Sequence, residues 1–231
     1  MPSEAKHAGF LLLYVLLATD LFYMLLHVLS YLIIWFPKGP FWMMVDGSYP
    51  ESFQYIKEFW IVMLLIYLAV IGKLRALFFW AIVFLWLMLD DALQIHEKVG
   101  GAAAAKFISQ FLVLSKQEIY HYGQFVYSLG AGVVILVIAI VLYRYSDAQI
   151  RKIFINLFAL LLLITFFGVG VDMVSYLITP IKTVLMLHIF NFVEEAGEHI
   201  AMSITLCYCF MLAISNRLFL NGANRSTTVS P

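Results

Sequence analysis

Apolar residues recur along the chain in six runs, approximately 9–36, 55–72, 76–96, 121–143, 153–178 and 184–213, with polar residues gathered between them. About 20 apolar residues in helical form cross a hydrocarbon core of about 30 Å. Each run therefore predicts one membrane-spanning helix. Residues 37–54 carry Pro, Gly, Trp and Met and predict a loop at the membrane surface. The stretch 97–120 predicts a loop with a short interfacial helix. The Ser/Thr-rich residues 221–231 predict a disordered polar tail. The first run is too long for the apolar core of a cleaved signal, about 7–15 residues, and it contains Asp20 and His27.

The pattern thus predicts an all-α, polytopic integral membrane protein. One domain over residues 1–220 would form a bundle of six transmembrane helices with both termini on the same side. Composition agrees: 64% of the 231 residues are hydrophobic and 12% charged, against roughly 25% charged in a soluble domain. The mean hydropathy is +0.95. Lys and Arg decide the orientation. Eight fall on the side of the termini and six on the other, spread over longer loops, which places both termini in the cytoplasm. A net charge of zero gives no basis for nucleic-acid binding. Cys207 and Cys209 are two residues apart in an apolar run and cannot staple the fold.

The acids change the picture. Of 14, Glu4, Asp46, Glu51, Glu58, Glu118 and Asp147 fall at termini, loops or helix ends, where water is expected to solvate them. The other eight, Asp20, Asp90, Asp91, Glu97, Asp172, Glu194, Glu195 and Glu198, fall inside or at the rim of predicted spans. No Lys or Arg is expected within those spans to pair with them. A charge at the bilayer centre costs at least about 2.5–3.5 kcal/mol, so these carboxylates must be protonated or matched by a cation. His27, His96, His188 and His199 lie in the same runs, which favours a metal over a bare proton wire.

Two stretches concentrate the chemistry: "LDDALQIHEKV" at 89–99 and "NFVEEAGEHIA" at 191–201. At 100° per residue, Asp90, Gln94 and Glu97 share one face of the third helix. Glu194, Glu195, Glu198, His199 and His188 occupy an arc of about 140° on the sixth. Asp20 and His27 are seven apart and also share a face. The two stretches align at an offset of 104 residues, Asp90-Asp91-Ala92 on Glu194-Glu195-Ala196, as an inverted repeat would.

The pattern is similar to carboxylate-bridged di-metal sites in helical bundles, which use Glu residues and Glu-x-x-His elements from facing helices. The match is local: Glu195 is followed at three residues by Glu198 and at four by His199. The ligands predicted for a mono- or dinuclear transition-metal site are Asp90, Glu97, Glu195, Glu198 and His199. His27, Asp91, His96, Asp172, His188, Glu194 and Asp20 would orient those ligands or relay protons. Oxygen-rich ligation with imidazole and no thiolate suits iron, zinc or manganese. The set is too poor in histidine for eight-histidine membrane desaturases, and it lacks a ceramidase-like Ser/His/Asp spacing.

The leading expectation is a metal-dependent oxidoreductase or hydrolase acting on a lipid-soluble substrate, with membrane lipid around it. A divalent-cation or proton transporter using the same acids as a relay is the alternative. A subunit of a larger membrane complex, homo- or hetero-oligomeric, is the third. The "GVG" at 168–170 and "GAG" at 130–132 predict close packing surfaces.

Overall fold

The computed structural model describes residues 1–33, 39–104, 106, 116–177 and 183–227. The ends of the predicted first and fifth spans, part of the 97–120 stretch and the last four residues of the tail lie outside the described residues. Among the described residues the chain is all-helical, 89% by residue, and has no strand. Helix α1 runs Ser3–Leu32 and is followed by a single tight turn at Gly39–Phe41. Then come α2 (Tyr49–Val70), α3 (Leu77–Ala92) and a π-helical segment, His96–Ala104. Helix α4 (Lys116–Tyr145) leads to α5 (Ala148–Thr165), a second π-helical segment (Phe166–Val171) and α6 (Asp172–Leu177). Helix α7 (Val184–Thr227) closes the chain and carries helical structure into the predicted tail.

Among the described residues, five helical stretches are long and apolar enough to cross a membrane: Ser3–Leu32, Tyr49–Val70, Ile119–Tyr145, Ala148–Leu177 and Val184–Arg217. A sixth results if Leu77–Ala92 and His96–Ala102, bent by 77°, count as one. The bend falls at Gln94, whose φ of 52° lies in the left-handed region. That conformation is costly for a non-glycine residue and interrupts the helical ladder.

Local sequence sets the helix starts. Gly47, at φ 75°, turns the chain into α2. Ser48 then caps the helix by accepting from Glu51 N at 3.4 Å, and Pro50 occupies its first turn. The Glu51 carboxylate reaches back to accept from Gly47 N, just before the cap, and takes the Tyr55 hydroxyl. Asp147 caps α5 through Gln149 N at 3.0 Å and Ile150 N at 2.9 Å. Arg151 returns to the end of α4, donating to the Tyr143, Arg144 and Ser146 carbonyls at 2.9–3.2 Å. Asp147→Ala should therefore cost about 0.5–2 kcal/mol, read as a lower thermal midpoint in detergent with helix content unchanged.

The chain divides into two compact units, and the boundaries fall inside α3 and α7. The first comprises residues 1–84 and 199–231. Its core is Ile61, Leu65, Leu68, Trp80, Phe84 and Leu206. Helices α1 and α7 approach closely there: a Cβ at Gly9 would overlap the Met211 side chain, and Cys207 Sγ–H donates to the Gly9 carbonyl at 3.1 Å. The second unit is Leu85–Glu198, with Ile153, Phe154, Leu157, Leu161 and Ile164 buried along α5. Helix α4 keeps Leu129, Val133, Val134, Val137 and Val141 exposed. That is an apolar surface with nothing polar to recommend it to water.

Candidate functional site

Among the fully buried polar groups of the first unit is a base. Lys57 on α2 is 0% exposed, as is Asp20 on α1, while His199 on α7 is 1% exposed. Lys57 Nζ donates to Asp20 Oδ1 at 2.9 Å and to the His199 carbonyl at 2.8 Å. Its third proton faces His199 Nδ1 at 3.2 Å and Ser203 Oγ at 3.3 Å. Ser203, buried one turn beyond His199, donates its hydroxyl to Asp20 Oδ2. An ammonium has three donors and no acceptor, so Lys57 is fully committed, and both oxygens of Asp20 are taken. Phe53, one turn before Lys57, places its ring centroid 5.0 Å from Nζ.

This network overturns the expectation that no Lys or Arg sits within the spans to pair with the acids. The apolar window starting at 55 left Lys57 at the loop edge, but the Ser48 cap starts α2 at Tyr49 and puts Lys57 in its third turn. Glu58, expected in water, is only 2% exposed for the same reason. Lys57 is the residue of this network that the sequence reading missed. Its signal was the cap motif "SYPE" at 48–51, which moves the helix start upstream.

The geometry also gives His199 a particular role. Its Nδ1 lies 3.2 Å from Lys57 Nζ and 3.4 Å from Asp20 Oδ1. With the ring proton on Nε2, Nδ1 accepts from Lys57. With the proton on Nδ1, the ring donates towards Asp20. Three titratable groups from three helices thus lie within 2.9–3.4 Å of one another. His27, also on α1, is buried, and its Nδ1 accepts from Met43 N at 3.2 Å. The Ser30 hydroxyl donates to the His27 carbonyl at 2.7 Å. His27 therefore ties the loop before α2 to α1.

The second unit holds another set. His96 Nδ1 lies 3.2 Å from Asp90 Oδ2, and the Tyr127 hydroxyl donates to Asp90 Oδ1 at 3.1 Å. Tyr120 donates to Glu97 Oε2 at 3.4 Å. Glu198 lies against Gly168, where a Cβ would overlap its Oε1, and Phe167 fills the place of a Cβ on Gly197. The "GVG" stretch thus sits in the second π-helical segment at a close approach to α7. Asp91, Asp172, His188, Glu194 and Glu195 are half-buried in this unit, and each has interactions of its own.

Of the twelve residues predicted for a metal centre, the structure joins Asp20 with His199 and Asp90 with His96. Among the described residues no group of three or more His, Cys, Asp and Glu is arranged to hold a metal ion. The structure identifies none of the twelve as a ligand.

A family described as a domain of unknown function, DUF8692, matches over residues 53–213. That segment contains Lys57, His199 and Ser203, and all of Asp90, His96 and Tyr127; Asp20 lies before it. No curated protein and no solved structure matches the chain.

Proposed function

The chain belongs to the DUF8692 family, and within it we propose a membrane protein that moves protons across the bilayer. It has six spans, counting α3 with its bent continuation as one, and both termini lie in the cytoplasm. The exposed apolar faces of α1 and α4 meet lipid. The observation that carries the reading is the contact of Asp20, Lys57 and His199, three buried titratable groups supplied by three helices. Ionisable groups inside spans are expensive and mark ion or proton pathways.

The paired state holds Asp20 as carboxylate, Lys57 as ammonium and His199 neutral, with no net charge. A proton arriving on Asp20 cancels the counter-ion of Lys57 and frees α1 from α2. A buried pair deprived of one partner loses about 3–5 kcal/mol. That shifts a two-state equilibrium by roughly two to four orders of magnitude, enough to switch a bundle between two packings. With Asp20 protonated, neutral His199 takes a proton from Lys57 at Nδ1, leaving a neutral amine and an imidazolium; when Asp20 gives up its proton, His199 returns its own to Lys57 and the pair reforms. The metalloenzyme expectation draws no support from the side-chain arrangement among the described residues.

The test is proton movement into sealed liposomes holding the purified protein and an internal pH dye, driven by an imposed potential. Flux at least several-fold above protein-free vesicles is expected. Flux equal to that of protein-free vesicles overturns the reading.

A further inference from the structure

The first π-helical segment, His96–Ala104, breaks from α3 at 77° and docks on α4 through its two glycines. A Cβ at Gly100 would lie 3.0 Å from Tyr127 Cβ and 3.1 Å from Gln124 Cα, and one at Gly101 would overlap the Tyr120 ring. Irregular backbone in or near a bilayer is tolerated where it packs on protein or lines water. At the base of this segment stand Asp90, His96 and Tyr127, none of which the network of the first unit uses.

We propose that His96 is a second protonation site, one that exchanges protons with water at the broken end of α3. Tyr127 fixes Asp90 through Oδ1, and Oδ2 of Asp90 takes His96 Nδ1. The bond to the carboxylate places the neutral ring's proton on Nδ1 and leaves Nε2 as the basic nitrogen. The His96 side chain is 31% exposed, against 13% for Asp90, so the imidazole is the more accessible member of the pair. Charges acting on the ring come from Asp90 and Asp91 on α3 and from Glu97 beside it. From α4, Tyr127 engages Asp90 and Tyr120 engages Glu97. Lys98 is turned away, donating to the Leu93 carbonyl at 2.8 Å. His96 Nε2 takes a proton from water and gives it back, with the Asp90 carboxylate stabilising the imidazolium between the two steps.

The role of this site in transport rests on the proton-linked reading; its exchange with water does not. The experiment is carbethoxylation of His96 by diethyl pyrocarbonate on the purified protein in sealed vesicles, quantified by mass spectrometry on the His96 peptide across pH. His96 should be modified in a proton-competed profile, and Asp90→Asn should move its midpoint by about one pH unit, a tenfold change in proton affinity. If Asp90→Asn does not fold, Tyr127→Phe should move the midpoint in the same sense by less. A His96 that stays unmodified at every pH overturns the proposal, as does a midpoint that neither variant moves. A wild type without proton flux but with the expected profile would sink the transport reading and leave His96 standing as a protonation site.

Discussion

Lys57→Met should destabilise the protein by about 3–5 kcal/mol, one of the largest losses a single substitution in this chain can cause. The reason is what stays behind. Asp20 is 0% exposed and its Oδ1 would lose its cation, leaving a carboxylate in a dry interior with only Ser203 and His199 beside it. Asp20→Leu alone leaves the opposite charge stranded and should cost a similar amount. Replacing both partners with apolar residues of similar volume, Asp20→Leu with Lys57→Met, removes both stranded charges. That double variant should recover most of the loss, because well-packed hydrophobic residues replace buried ion pairs at little cost. Thermal unfolding in detergent, read by far-UV circular dichroism for all four proteins, checks this as a double-mutant cycle. A double variant no more stable than either single one would contradict it.

The second large effect belongs to Gly197. A Cβ there would overlap the Phe167 ring, and a ring beside a helix backbone has little room to yield. Gly197→Ala should cost about 1–3 kcal/mol through overpacking. Phe167→Leu in the same chain should recover part of that, since a smaller side chain opens the space. Gly168 faces only the end of the flexible Glu198 side chain, so Gly168→Ala should be milder. Equal losses at the two glycines would argue against this packing.

The helical architecture was legible because spans advertise themselves by length and hydropathy: among the described residues five of the six runs reappear as long apolar helices, and the third as a pair bent by 77°. The acids were legible as anomalies for the same reason: Asp20 stands out in an apolar run whatever its partner. What could not be read was pairing, because Asp20, Lys57 and His199 are brought together by tertiary packing across 37 and 142 positions of sequence. Lys57 was further hidden by a boundary. Hydropathy dates the start of α2 from its apolar residues, whereas the Ser48 cap starts it two turns earlier. His199 was read as a metal ligand from its spacing to Glu195 and Glu198; its carbonyl and Nδ1 instead face Lys57. The break in α3 rests on a positive φ at Gln94, a residue type that gives no warning of one.

If the Asp20–Lys57–His199 network works in proton movement, that role is separable from its part in stability. The Asp20→Leu/Lys57→Met double variant separates the two, since it should fold about as well as the wild type. Its proton flux in potential-driven liposomes, at matched protein content, is the decisive measurement. A role in proton movement predicts a folded protein whose flux is at least about tenfold below wild type, a loss of about 1.4 kcal/mol or more at the rate-limiting step. A folded double variant that moves protons as fast as the wild type would contradict it.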